Sequence, residues 1–213
     1  AADRRRINEG IEQIQWVAAL KPTTIGVAAY RDETREYLEI AVLRMVLRSD
    51  AQESRVIALL HRAVPYPVVA IVEQGEGANM SLAHIRWSQG EAGKTVIEGN
   101  LVSCSAPRHG DPHEVEFAAA LGLGRQPRAT LFALYQGWLD TVLALEAARR
   151  TGRFAILPTA ESRTARSEAL RECIRLEAEM SRLRAAAARE KQMPRQIELN
   201  LRVRDAEAAY AAA

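Results

Sequence analysis

Between residues 161 and 213 the chain has no glycine, and its apolar residues recur every three or four positions. Ala169, Cys173, Leu176, Met180, Leu183 and Ala187 form one stripe among Arg, Glu and Gln. That spacing predicts a long helix whose seam needs a second helix for cover. Pro194 predicts a kink or break near Met193, because it lacks the N–H that a helix interior uses. Ile197 and Leu201 then resume the stripe. The alanine-rich seam, Glu190 at a seam position and the proline all argue against one continuous coiled coil. The pattern predicts a helical arm in two pieces.

The first hundred residues alternate differently. A short polar helix is expected from Asp3 to about Gly10, then a strand from Gln13 to Leu20 that Pro22 ends, with Thr24–Val27 continuing extended. Tyr37–Arg48 alternates in its first half and is apolar on both faces in its second, as a covered central strand would be. Asp50 and Glu53 have the spacing of a capping box ahead of a helix that Pro65 and Pro67 close off. Val68–Val72, Met80–Trp87 and Thr95–Ser103 read as three more strands. Their short connections predict an antiparallel meander with the helix Asp50–Val64 on one face. Past the Pro- and Gly-containing break 106–112, helices are expected over His113–Leu121 and Ala129–Arg150. The expectation is an α+β fold: a mostly antiparallel sheet domain over 1–105, a helical region packed on it over 106–157, and a long, broken, coiled-coil-like helical arm over 158–213.

Composition narrows this only a little. The 213 residues are 48% hydrophobic and 26% charged, a globular balance, and aromatics at 5% leave aliphatic side chains and alanine to build the core. A net charge of +2 is too small to signal nucleic acid without local clustering. No apolar run approaches the ~20 residues of a membrane span, and the charged start has no apolar leader core. A cytoplasmic protein is expected, with Cys104 and Cys173 as reduced structural thiols. The absence of an initiator methionine suggests a missing natural N-terminal segment.

Candidate chemistry is sparse. His109, Asp111 and His113 lie close in sequence, but Gly110 and Pro112 make that stretch turn-like, and a metal site wants three or four fixed ligands. Glu39 and Glu73 sit in or after strands, as metal-dependent nuclease carboxylates do, yet the next strand offers His84 and Arg86 rather than a Glu-x-Lys pair. Gly122-Leu123-Gly124 lacks the strand and the GKS or GKT of a phosphate loop. These patterns nominate no catalytic residue, no metal ligand and no cofactor. The best surface candidate is the hairpin carrying Arg86, Trp87 and Lys94, where a tryptophan beside two cations could stack on a base or anchor a protein. The alternative is that Trp87 packs on the helix layer. Leu176, Met180, Leu183, Ile197 and Leu201 are the candidate helix interface. Three arrangements compete for it: folding back on helix Ala129–Arg150, a homo-oligomeric coiled coil such as a homodimer, or docking on another protein.

Trp16–Pro22, Ala63–Val68, Leu82–Lys94 and Arg175–Gln192 resemble an uncharacterised bacterial family along nearly the whole chain. That family carries no established catalytic residues. The resemblance implies a setting: proteins of this kind are encoded near SNF2-type helicases and DNA methyltransferases in restriction-like, anti-phage loci. The expected role is a non-catalytic accessory or scaffold subunit that binds such a partner, with DNA contact indirect. The rival is a DNA-binding or divergent nuclease-like subunit.

Overall fold

The computed structural model describes residues 10–91 and 93–212. Apart from Gly10, the helix expected over 3–10 lies outside them. The chain divides into two compact units, Ala1–Ile156 and Leu157–Ala213.

The first unit is built on a five-stranded sheet. Its strands are β1 (Ile11–Leu20), β4 (Ile40–Leu47), β5 (Val68–Gln74), β6 (Gly77–Trp87) and β7 (Thr95–Ser105), side by side in that order. Two short strands, β2 (Tyr30–Arg31) and β3 (Glu36–Tyr37), pair separately. The meander expected for the last three strands is present, and β1 is antiparallel to β4. β4 and β5, however, are parallel. Helix α2 (Glu53–Ala63) provides the long crossover that a parallel pair requires. It starts at Glu53, so Asp50 does not cap it; the Glu53 carboxylate instead accepts a hydrogen bond from Asn79. Thr24–Val27 is also not extended. Pro22–Ile25 forms a helical turn, α1, that closes on Gly26 at φ 65°. Pro22 thus ends a strand and opens a helix, where its missing N–H costs nothing.

Both faces of the sheet are covered. Leu43, Met45, Val68, Ala70 and Val72 pack under Val56, Ile57 and Leu60 of α2. On the opposite face, Ile40, Val69, Leu82 and Cys104 pack against α4 (Leu131–Thr151) and Phe117 of α3 (Glu114–Leu121). β1 is an edge strand, and Ile14, Trp16 and Val17 on it are half exposed. Arg44 and Glu73 form a bidentate ion pair across β4 and β5, at 2.7 and 2.5 Å.

One polar contact ties α4 to the sheet. Between the pairs Leu82–Val102 and His84–Glu98 β6 advances two residues and β7 four, so β7 bulges over residues 99–101 and Ala83, opposite the bulge, has no register partner. The fully buried Tyr135 hydroxyl accepts from the Ala83 N–H at 2.9 Å and donates to the Val68 carbonyl at 2.6 Å. Tyr135→Phe would strand that N–H in the core, and is expected to cost about 2 kcal/mol. A shift of the urea midpoint at constant m-value reads the loss, and an unchanged midpoint would refute it.

The second unit is helical in two pieces, as its pattern predicts, and the pieces form a hairpin. Helix α5 (Ala160–Arg189) turns through Glu190–Gln192 into α6 (Met193–Ala212), which runs back along it. The α5 seam Cys173, Leu176, Met180, Leu183, Ala187 and the α6 seam Gln196, Leu199, Val203, Ala206, Tyr210 both step by three and four. Leu176 and Met180 cluster with Ala206 and Tyr210. Arg184 pairs with Glu207 at 2.7 Å, and the Tyr210 hydroxyl donates to Glu177 at 2.9 Å. Glu190 is the turn-maker: its carboxylate accepts the N–H groups of Lys191 and Gln192 at 2.8 and 2.9 Å. Pro194 falls in the first turn of α6, where it is tolerated. The proline that predicts a kink or break near Met193 therefore lies at a break, in the first turn of the returning helix of a hairpin. Among the described residues, no helix is long and apolar enough to cross a membrane.

Candidate functional site

The surface hairpin singled out by sequence forms part of a cleft of about 170 Å³ in the first unit. Its floor and walls come from Glu36, Leu38, Tyr66, Ile85, Arg86 and Trp87, with Pro65, Gly93 and Thr95 completing the lining. Three large apolar side chains stay open to solvent here: Leu38 at 49%, Tyr66 at 40% and Trp87 at 38%. Trp87 is therefore not packed away under a helix.

Local structure fixes each wall. The Trp87 N–H donates to the Thr34 carbonyl at 2.7 Å, pinning the end of β6 to the turn between β2 and β3. Asp32 builds that turn: its Oδ1 accepts from Thr34 N, Thr34 Oγ1 and Arg35 N, and its Oδ2 accepts from the Tyr30 hydroxyl. Desolvation pushes the Asp32 pKa up, but these bonds together outweigh it and hold the group at about 2. Tyr66 stands between Pro65 and Pro67 just past α2, on backbone with little freedom left. On the far side of the cleft, Ser88 Oγ accepts the N–H groups of Gly90 and Glu91, and the Ser88 N–H donates to the Lys94 carbonyl at 2.8 Å.

The cations differ in state. The Arg86 guanidinium donates to the Trp87 carbonyl at 3.1 Å and has no carboxylate partner among the described residues. Lys94 is paired with Glu91 and does not line the cleft. Glu36 is engaged by Arg31. Arg86 and Trp87, neighbours in sequence, both line the cleft; Lys94 does not. Sequence reading missed Leu38 and Tyr66, although an aromatic residue locked between two prolines was a usable signal.

Behind the cleft a polar chain crosses the core. Gln136 Nε2 donates to Asp140 at 2.9 Å, so its Oε1 accepts from His84 Nε2 at 2.9 Å. His84 Nδ1 is then left to accept the Tyr37 hydroxyl at 2.5 Å. Burial, assisted by the nearby Arg35 charge, lowers the His84 pKa to about 4 against a smaller opposing effect of Gln136. Arg35 bridges to Glu98 at 3.0 Å and lies 5.3 Å from the Phe132 ring centre.

The other sequence candidates separate. Glu39 pairs with Lys21 at 2.9 Å and Glu73 with Arg44. Glu39 precedes β4, whereas Glu73 is level with Val46 near its far end, which puts the carboxylates on the order of 20 Å apart. They cannot share a metal. His109 lies 3.5 Å from Glu114 and His113 3.3 Å from Glu116, so the two histidines have different partners. Among the described residues, no group of three His, Cys, Asp or Glu could hold a metal ion. Of the candidate helix interface, Leu176, Met180 and Leu183 are buried, while Ile197 and Leu201 are 54% and 52% exposed, off the α5–α6 seam.

No curated protein and no solved structure matches the chain. One family profile does, that of the domain of unknown function DUF4391, over residues 1–209. With the match running through both units, the chain belongs to the DUF4391 family.

Proposed function

We propose that the chain is a non-catalytic accessory subunit of a bacterial restriction-type or anti-phage assembly, and that its helical hairpin docks on a larger helicase or DNA methyltransferase. One observation carries the docking. Helix α6 has two apolar rows, and α5 covers only the row containing Val203 and Ala206. Met193, Ile197 and Leu201, four residues apart, form the second row and are 67%, 54% and 52% exposed. Arg195, Glu198, Arg202 and Asp205 flank it with both signs of charge. That suits an apolar protein groove with a mixed polar rim better than a nucleic-acid backbone. The partner class comes from the resemblance to proteins encoded beside helicases and methyltransferases.

The test is co-purification from cells carrying the neighbouring genes. Ile197→Asp with Leu201→Asp is expected to lower partner recovery at least ~10-fold, as removal of two central apolar anchors does. The helical circular dichroism of the double variant should match the parent. Undiminished recovery of the partner by that variant would sink the proposal.

A further inference from the structure

We propose that the cleft between Tyr66 and Trp87 receives one unpaired base of a single-stranded nucleic acid, with the adjoining phosphate on the Arg86 guanidinium. This is independent of the hairpin's role, because all the residues involved belong to the first unit.

Size sets the first limit. At about 170 Å³ the cleft falls below the roughly 300–1,000 Å³ typical of drug-sized ligands, so it takes a single ring system. The walls set the second. Leu38, Tyr66 and Trp87 are open to solvent, yet two of the three sit on constrained backbone: Tyr66 between two prolines, Trp87 held by the Thr34 carbonyl. Aromatic rings carried on constrained backbone lose less entropy when a flat group stacks on them than rings on a mobile loop. Charge decides between ligands. Glu36 is matched by Arg31 and Lys94 by Glu91, which leaves Arg86 as the cation in the lining with no carboxylate partner among the described residues. An apolar protein side chain would fill the space but leave that guanidinium unanswered. A nucleotide supplies both a π-face and an anion. The base must be unpaired, because within a duplex both its faces are already stacked and its edge is taken.

Binding should therefore depend on stacking more than on charge. In fluorescence anisotropy with a labelled oligothymidylate, the single strand should bind more tightly than a duplex of equal length. The plot of log affinity against log salt should have a slope of about −0.7, the value for a single phosphate contact on a single strand. Trp87→Ala and Tyr66→Ala should each weaken binding ~10-fold or more, and Trp87→Phe should retain most of it. Arg86→Gln should flatten the salt slope, and Lys94→Ala should leave affinity unchanged. All are surface changes, so an unaltered melting transition separates loss of binding from loss of fold. The proposal is overturned by any of three results: no binding at low salt, binding indifferent to Trp87→Ala, or a salt slope of several units that marks a basic surface elsewhere. Loss of protein-partner recovery on Trp87→Ala, with oligonucleotide binding intact, would assign the cleft to a protein instead.

Discussion

Lowering the pH from 7 to 5 is expected to cost the sheet-bearing unit up to about 4 kcal/mol of folding stability, through the buried His61 and the partly buried His84. His61 on α2 is 2% exposed; Nε2 meets Ser81 Oγ at 2.9 Å, and among the described residues Nδ1 has no partner. Desolvation lowers its pKa to about 4. His84 is held near 4 as well, chiefly by burial. Its hydrogen-bond chain requires the neutral ring, since a protonated Nδ1 could no longer accept the Tyr37 hydroxyl. In the unfolded chain both imidazoles take up a proton below about 6.5; in the folded chain they do so only below about 4. Across that interval the unfolded state binds more protons, so stability falls as the pH falls. Each histidine contributes up to about 2 kcal/mol of loss by pH 5, an upper range for burial-driven shifts. Carboxylates with lowered pKa act further down. Asp32, at about 2, contributes stability above its ordinary 3.8 that is lost only as the pH falls toward 2. Urea midpoints at pH 7, 6 and 5 measure the effect. His61→Gln with His84→Gln should lower the plateau at pH 7 but flatten the pH dependence above 5. A parent protein equally stable at pH 7 and pH 5 would contradict the account.

Gly137→Ala should destabilise the fold by about 3 kcal/mol, although alanine is the better helix former by about 1 kcal/mol. Gly137 lies inside α4, where the segment Gln126–Pro127 crosses it. A Cβ built there would stand 2.6 Å from Pro127 Cδ and closer still to the Gln126 side-chain oxygen. Neither neighbour yields easily. Gln126 is 7% exposed and donates to the Ala120 carbonyl at 2.5 Å, and Pro127 Cδ is tied into its ring. Relief requires moving α4 from the sheet or the crossing segment from α4. Gly90→Ala is the control, since a Cβ there meets nothing within 4 Å; it should change stability by no more than ~0.5 kcal/mol. A Gly137→Ala protein as stable as the parent would mean that the crossing is looser than described.

The parts of the fold legible in the sequence were those written in short-range pattern. Val68–Val72 shows as a short, unbroken apolar run, and the helix after Asp50 in its periodicity and the prolines that follow it. The parallel pairing of β4 with β5 does not, because the same apolar runs suit either direction and only the packing of α2 decides. Pro22 marks the end of a strand and Pro194 a kink or break in a helical stripe, and both also fall in the first turn of a helix; one residue type serves both ends of a segment. The C-terminal seam was visible, but not which apolar row would be covered: Ile197 and Leu201 have the same composition as seam residues and differ only in angular position. At the cleft, Arg86 and Trp87 stood out because they are neighbours in sequence. Leu38 and Tyr66 reach it from other segments, and no local pattern links them.

The Tyr135 hydroxyl also bears on the order of assembly. Its partners lie 52 and 67 residues away along the chain, so a long loop must close before they form. The β5–β6–β7 meander, joined by short turns, can assemble first, with the unpaired Ala83 still hydrated. On that sequence of events α4 seals the Ala83 N–H after the rate-limiting step. The stability lost in Tyr135→Phe should then emerge as faster unfolding with the folding rate nearly unchanged. A slowed folding arm in the chevron would place the seal early instead. If the seal is late, that single hydroxyl acts mainly on the lifetime of the native state and hardly on how quickly the state is reached.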